Sequence, residues 1–496
     1  MQYRGFVIKV CFNTILLFFI FSVFFGVSPE ANTPCSSDFS KRLQLLLKNS
    51  DLRGVSCGIG IVSLKKNKLL FNYRDNDLFC IASNMKILTT SAALEYLGPD
   101  FEYKTSVKTD GYITLTGELK GNIIIKGSGD PNISGRFYDG NILAVPESWV
   151  NAVKTMGIRK VTGDIIADDS IFDRMDINPQ WPENQSSEWY CAPTCGLSFN
   201  DNCVEITLVS EKMPGKIVSL LVEPNTGYIT LFNNCIYTDN KKEHNYSICR
   251  KPGTNQIFVK GRFWIGASPE KKWVTVKNPA LYLATVFKET LERNGIIVEG
   301  NILLADKGAS HDTISKEIAE TSSTLRQTIT VTNKHSQNFY AEQILKTLGV
   351  HVKGDGSLAA GLEVLQDFLE KLDIPPHEYH IEDGCGLSKG NRLSPKIITS
   401  ILGYMYKHPQ GKVFYDSLPI SGTDGGLRRR MSSPQYAGKI HAKTGYIAST
   451  SALSGYIDTE GGDTLAFSIL MNSVKNLSNA MKIQDDICKI LVDCYN

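Results

Sequence analysis

A serine and a lysine three residues apart, at the start of an apolar stretch, constrain this chain more than anything else in it: Ile81-Ala82-Ser83-Asn84-Met85-Lys86. Apolar positions Ile81, Met85, Leu88 and Ala92 recur at spacings of four, three and four, and Gly98-Pro99 ends the run, so the pattern predicts a helix. Three residues is nearly one turn, which puts Ser83 and Lys86 on one face. A serine becomes a nucleophile when a base takes its proton, and a lysine one turn away can do this only when neutral. Burial and a second cation both favour the neutral form, so the pair predicts another lysine from a distant part of the chain. Alone, the same spacing also describes a capping serine followed by a solvated lysine, and the rest of the sequence has to decide.

With 42% hydrophobic and 21% charged residues among 496, the chain can bury a large core in two or three domains, and its composition argues against disorder. A formal net charge of +2 is small for this size, and the one tight basic run, Arg428-Arg429-Arg430, reads as solvated surface. Nucleic acid is therefore not an expected partner. Arg4 and Lys9 precede an apolar run from Val10 to Val27, the pattern of an export signal. That run is also at the short end for a membrane span, so residues 1–30 are a signal peptide or an N-terminal anchor. In the second case residues 10–27 would associate with the membrane. The region from Ser28 to Cys35 lacks a clear A-x-A cleavage pattern, and Pro34 argues against lipid modification of Cys35.

Twelve cysteines include Cys11 inside this segment, which leaves an odd number beyond it. Cys191, Cys195, Cys203, Cys235 and Cys249 cluster mid-chain, where disulfides would suit an exported protein. Zinc on Cys191-x3-Cys195 is the other reading, but no histidine pair at ligand spacing accompanies it. No metal and no cofactor are expected.

Residues 54–64 and Leu69 to Tyr73 read as a strand hairpin leading into the Ser83 helix. From about residue 105 short strands alternate with glycine turns, as in residues 112–117 and 122–127, with one helical stretch near Pro146 to Met156. Helical patterns return from Pro279 to Asn294 and are expected to dominate through 375, including Asn338 to Leu348 and Leu358 to Leu372. Ile440 to Tyr446, Ser451 to Ile457 and Thr464 to Met471 are strand-like, and Leu477 to Leu491 forms a closing helix with an apolar stripe. No internal repeat is apparent.

Two further stretches supply what Ser83 and Lys86 require. In His335-Ser336-Gln337-Asn338 a hydroxyl and an amide two residues apart can enter one cleft. In His441-Ala442-Lys443-Thr444-Gly445 a strand offers a cation, a hydroxyl and a glycine that lets backbone approach a substrate closely. The order Ser-x-x-Lys, Ser-x-Asn, Lys-Thr-Gly resembles the three-motif set of the active-site serine penicillin-recognising enzymes. More specifically, the chain resembles the D-alanyl-D-alanine carboxypeptidase and endopeptidase family of low-molecular-mass penicillin-binding proteins that carry large insertions after the nucleophile helix. Residues 126–131, 169–172, 197–202, 383–388, 418–422 and 451–456 are similar to that family's pattern, and the likeness runs from about 50 to 475.

The resemblance implies an α/β (α+β) fold of the β-lactamase/transpeptidase type, an antiparallel sheet flanked by helices. Residues 36–105 and 280–496 would form the catalytic domain, and 106–279 a β-rich insertion of two nested subdomains. It further implies that Ser83 is acylated, that Lys86 is its base, and that Ser336 relays a proton while Asn338 holds the substrate's peptide carbonyl. Lys443, Thr444 and Gly445 would receive the terminal carboxylate, and the backbone N–H groups of Ser83 and Tyr446 would form the oxyanion hole. Peptidoglycan stem peptides are the implied substrate, β-lactam antibiotics the implied covalent inhibitors, and the periplasm or cell envelope the implied location. Three departures stand out: Tyr446 where the family often has threonine, Gln337 at the variable middle position, and Cys385 where serine is usual.

Other readings are weaker. His441 as the base of a Ser-His-Asp triad lacks a G-x-S-x-G around Ser83. A β-lactamase fits the motifs but not the large insertion or the missing separate deacylation-glutamate motif. A catalytically inactive wall-binding scaffold would have no need of intact Ser83, Lys86, Asn338 and Lys443.

Overall fold

The computed structural model describes residues 39–50, 52–306 and 315–495; the expected export segment and Cys35 lie outside the described residues. Among those described, no helix is long and apolar enough to cross a membrane.

Alternating apolar residues near both ends of the chain form strands that meet in one five-stranded sheet. Its order is Lys68–Tyr73, Ser56–Ser63, Thr464–Asn472, Thr450–Asp458, Ile440–Ile447. Every neighbouring pair is antiparallel. Period-two alternation sorts the side chains. Leu453, Ile457, Leu465, Phe467 and Ile469 pack under the helices Phe39–Asn49 and Leu477–Cys494. Ala452, Tyr456, Ala466 and Leu470 face a larger helical layer that contains the Ser83 helix.

That helix, Met85–Tyr96, is buried from Met85 through Leu94, including Lys86, Thr89, Thr90 and Ser91. It is thus enclosed on all sides rather than amphipathic. Two of its polar side chains find partners inside: Thr90 Oγ1 donates to the Lys86 carbonyl at 2.6 Å and Thr89 Oγ1 to the Gly384 carbonyl at 2.6 Å, whereas Ser91 Oγ is buried without a partner among the described residues.

Beyond this helix the chain builds a second unit. Glu102–Thr109 pairs antiparallel with Ile123–Lys126 and with Lys316–Thr324. Ile123–Lys126 runs parallel to Ile165–Asp168, which runs parallel to Ile302–Leu304. Parallel strands need crossovers, and helices Ala144–Thr155 and Pro279–Arg293 cover this sheet, with Trp149 edge-on to Phe287 at 5.7 Å. Two three-stranded sheets lie further out, one centred on Cys203–Leu208 and one on Gln256–Trp264. Within 106–279 the elements are strands and short 3-10 turns apart from the helix Ala144–Thr155.

The boundary at 280 does not coincide with the packing. Ala280, Leu283, Val286, Phe287 and Leu291 share an apolar cluster with Ile123, Ile125, Ile165 and Trp149 of the insertion. Helices dominate from 279 to 375 as expected, but strands Ile297–Val298, Ile302–Leu304 and Lys316–Thr324 interrupt them. The first two are too short, and the third too polar, to show a period-two pattern in sequence. We propose that the chain returns to the catalytic unit at Leu325.

The mid-chain disulfides are not formed. Cys57, Cys80, Cys191, Cys195, Cys203, Cys235, Cys249, Cys385 and Cys488 are free thiols. Cys191, Cys195, Cys203 and Cys235 each sit in a different apolar cluster, where they behave as small hydrophobic residues.

Leu283 is fully buried in the insertion's cluster, so Leu283→Ala should cost about 2–5 kcal/mol. Hydrogen exchange should then quicken in residues 123–126 and 165–168 before it changes in 440–472. Faster exchange confined to 440–472 would return helix Pro279–Arg293 to the catalytic unit.

Candidate active site

Ser83 sits in the 3-10 turn Ala82–Asn84 that opens helix Met85–Tyr96. Ala82 holds φ +46°, a left-handed conformation that is costly for alanine and that turns the serine out of the helix start. Two glycines allow other backbone to close on this turn. A β-carbon at Gly386, itself at φ +85°, would collide with the Ala82 carbonyl. At Gly445 a β-carbon would lie 2.9 Å from the Ile81 carbonyl oxygen and 3.1 Å from the Ser83 nitrogen. The strand Ile440–Ile447 is thereby brought directly against the serine backbone.

Lys86 is fully buried beneath Ser83. Its Nζ lies 3.1 Å from Ser83 Oγ, 2.7 Å from Asn338 Oδ1 and 2.7 Å from the Cys385 carbonyl oxygen. The last two atoms can only accept, so Lys86 must donate a hydrogen to each. That leaves one position on nitrogen facing Ser83: a third N–H when charged, a lone pair when neutral. Burial pulls the Lys86 pKa down, opposed by the charges of Cys385, Asp383 and Glu342. The second lysine expected from sequence is Lys443, whose Nζ donates to Ser336 Oγ at 2.8 Å and to the Thr444 carbonyl at 2.7 Å. Burial first and the Lys86 charge second hold Lys443 well below the usual lysine range.

Ser336 lies in the left-handed region at φ +55°, and Asn338 begins helix Asn338–Leu348. Asn338 Nδ2 donates to the Tyr190 carbonyl at 2.9 Å, so the insertion fixes this amide from outside the catalytic unit. Ser83, Ser336, Thr444, Gly445 and Tyr446 line one cleft of about 260 Å³. Gly426 permits the close passage of Thr444, whose Oγ1 would be 2.5 Å from a β-carbon there. Tyr446 is 61% exposed at the rim. The structure thus brings together all the residues read from the three motifs.

It also reveals residues that the motifs did not indicate. Asp383 accepts from Gly386 N at 2.6 Å, Asn391 Nδ2 at 2.8 Å, Ser388 N at 2.6 Å and Trp181 Nε1 at 3.0 Å. This clamps the loop that presents the Cys385 carbonyl to Lys86. Glu342 Oε1 accepts from Gly384 N at 2.8 Å in the same loop. Arg430, expected as solvated surface, is buried at the cleft wall and pairs with Asp485 at 2.7 Å. Only Arg428 and Arg429 of that run are exposed. His441 stacks on Tyr415 at 4.0 Å, a packing role. Phe172 of the 169–172 stretch packs over Gly129, and none of these four residues lines the cleft.

Glu342, Asp383 and Cys385 place one potential ligand atom each within 4.8 Å of one another. Both Asp383 oxygens already accept two N–H bonds each. Burial, followed by the Asp383 and Glu342 charges, pushes the Cys385 thiol well up. The group serves the loop clamp better than it would serve a cation.

Burial, and after it the Asp383 charge, raises Glu342 from an ordinary 4.5 to about 8. The folded state therefore holds this proton more tightly than the unfolded chain. The resulting stabilisation is complete below about pH 4.5 and is lost as pH rises through about 8. Glu342→Gln keeps the carbonyl acceptor and removes the titration. The melting temperature of the wild type should fall relative to Glu342→Gln across that window; parallel curves would show that Glu342 does not titrate there.

A family model described as D-Ala-D-Ala carboxypeptidase 3 (S13) matches residues 39–492. The chain is similar to a D-alanyl-D-alanine carboxypeptidase of Actinomadura sp. strain R39, 30% identical over 463 residues that cover 90% of this chain and 84% of the relative. It is also similar to the D-alanyl-D-alanine carboxypeptidase DacB of Haemophilus influenzae, 27% identical over 93% of this chain and 92% of that protein. The solved structure of penicillin binding protein 4 from Haemophilus influenzae shares the fold, with a TM-score of 0.79 at 23% identity over 92% of this chain and 99% of that one. The chain belongs to the D-Ala-D-Ala carboxypeptidase 3 (S13) family, and it is a serine-type carboxypeptidase.

Proposed function

We propose that Ser83 is the acylated nucleophile and Lys86 its general base, acting on peptidoglycan stem peptides that end in D-alanyl-D-alanine. The observation that carries this reading is the Lys86 geometry: two carbonyl acceptors fix its N–H bonds and its remaining position faces Ser83 Oγ. Neutral Lys86 takes the Ser83 proton as Oγ attacks the carbonyl between the last two residues. The developing oxyanion is received by the backbone N–H groups of Ser83 and Tyr446. Collapse breaks the amide bond and expels the terminal D-alanine, whose amine nitrogen gains a proton through Ser336, itself hydrogen-bonded to Lys443 at 2.8 Å. Water then hydrolyses the Ser83 ester and restores the enzyme.

Substrate binding follows from the same contacts. The strand Ile440–Ile447 is the sheet edge, covered near its start where Ala442 N bonds the Pro419 carbonyl and Ser421 N the Ile440 carbonyl. An extended peptide can lie along the remainder. Lys443 supplies positive potential and Thr444 a hydroxyl for the terminal carboxylate. Asn338 has one N–H committed to Tyr190 and one left for the substrate's peptide carbonyl. Where the leaving amine belongs to a cross-linked stem, the same steps give an endopeptidase. A β-lactam presents a carbonyl and a carboxylate in the same relation, and the Haemophilus influenzae structure has been solved complexed with one. Such substrates place the protein outside the cytoplasm, in the periplasm or cell envelope, and membrane association would rest on residues 10–27.

The test is D-alanine release from a D-alanyl-D-alanine peptide and from purified muropeptides. Wild type should release it and Ser83→Ala should not. Lys86→Arg keeps a cation but cannot act as base, and should slow acylation by about 10²- to 10⁴-fold at every pH. The wild-type rate should rise through an apparent pKa below the roughly 10.4 of free lysine. A Lys86→Arg enzyme within a few-fold of wild type, with the same pH profile, would assign the proton transfer elsewhere.

A further inference from the structure

The insertion carries a cleft of about 550 Å³ that the peptidase chemistry leaves unused. Its walls hold two tryptophans, Trp189 and Trp273, 39% and 47% exposed. Antiparallel pairing of Glu188 with Val274 sets the adjoining residues, Trp189 and Trp273, across from each other. Thr275 N bonds the Ser187 carbonyl at 3.2 Å and continues this pairing. Indoles this large are rarely left facing solvent in a cleft unless something covers them.

The remaining lining is polar and already positioned. Tyr246 Oη donates to Glu270 Oε2 at 2.6 Å. His244 Nδ1 accepts from Trp264 N at 3.0 Å, so its proton is on Nε2, which lies 3.2 Å from Glu270 Oε1. Glu270 is thereby a fixed acceptor with lone pairs to spare. Lys272 is exposed beside it. The only aliphatic side chains on the walls are Ile248 and Val274.

The cleft adjoins the catalytic centre through the chain itself. Trp189 starts the turn Trp189–Cys191, and the carbonyl of the next residue, Tyr190, accepts the Asn338 amide.

We propose that this cleft binds the glycan of the polymeric substrate, a chain of β-linked N-acetylated amino sugars. The C–H face of a pyranose packs on the electron-rich face of an indole, and its hydroxyls and acetamido groups bond fixed acceptors and donors. Lys271 shares the strand face of Trp273, and Glu270, Tyr246 and Lys272 form the wall on the other side of that strand, so the sugar chain would cross the strand edge to reach both. A peptide held by its apolar side chains would call for a deep anchor pocket, which two aliphatic side chains do not make. The identification of the polymer rests on the proposed function; the sugar chemistry rests on the cleft.

The probe is the tetramer of N-acetylglucosamine, titrated into the full chain with tryptophan fluorescence as readout. Turnover of a short D-alanyl-D-alanine peptide and of sacculus fragments with intact glycan is measured in parallel. The tetramer should bind the wild type, Trp273→Ala should weaken binding at least about tenfold, and Trp273→Phe should keep most of it. Trp273→Ala should also lower turnover of glycan-bearing fragments and leave the short peptide within about twofold, since Trp273 is outside the catalytic cleft. The proposal falls if the tetramer does not bind, if Trp273→Ala binds it unchanged, if a sugar-free stem peptide competes for the same site, or if both substrates lose activity equally. An enzyme that turns over neither substrate would sink the proposed function instead, with the titration still deciding the cleft.

Discussion

Everything around Ser83 depends on one lysine nitrogen being kept out of water and yet given partners. An isolated ammonium in an apolar interior is so costly that the group would neutralise or the fold would open. Lys86 escapes both outcomes because the Asn338 side chain and the Cys385 carbonyl accept its hydrogens, while burial lowers its proton affinity. Each acceptor is held from further away. Asp383 clamps the loop behind Cys385, and the Tyr190 carbonyl, which belongs to the insertion, fixes Asn338. The insertion therefore completes the site rather than decorating it, which gives a physical reason for a large unit to interrupt the catalytic sheet and helices.

Two close approaches of backbone complete the arrangement. Gly386 and Gly445 both lie where a β-carbon would strike the Ile81 to Ser83 turn, and Ala82 accepts a left-handed conformation between them. The outcome is a serine whose backbone N–H is adjacent to an open sheet edge. Charge follows from the same closeness, since burial lowers the proton affinity of both lysines and the Lys86 charge lowers that of Lys443 further.

Much of this was legible in the residues. The apolar spacing around Ser83, the alternation in 440–471 and the three motifs located the helix, the sheet and the cleft, because each feature repeats within a short window. Long-range packing was not. Helix Pro279–Arg293 looks the same in sequence whichever unit it covers, and Lys316–Thr324 is too polar to read as a strand, so the boundary expected at 280 differs from the return proposed at Leu325. Arg430 reads as surface in a run of three arginines until Asp485, from the closing helix, is seen beside it. Tyr190 contributes a carbonyl, and backbone contributions leave no mark on residue type. The clustered cysteines suggested bridges because proximity in sequence is not proximity in space; their thiols point into separate cores.

We propose that these groups form one acyl-transfer site with Ser83 at its centre. Incubation with penicillin followed by intact-mass and peptide-level mass spectrometry tests it most directly. One adduct per chain is expected, on the peptide containing Ser83, and none on Ser83→Ala. An adduct on another residue, or one that persists in Ser83→Ala, would contradict it.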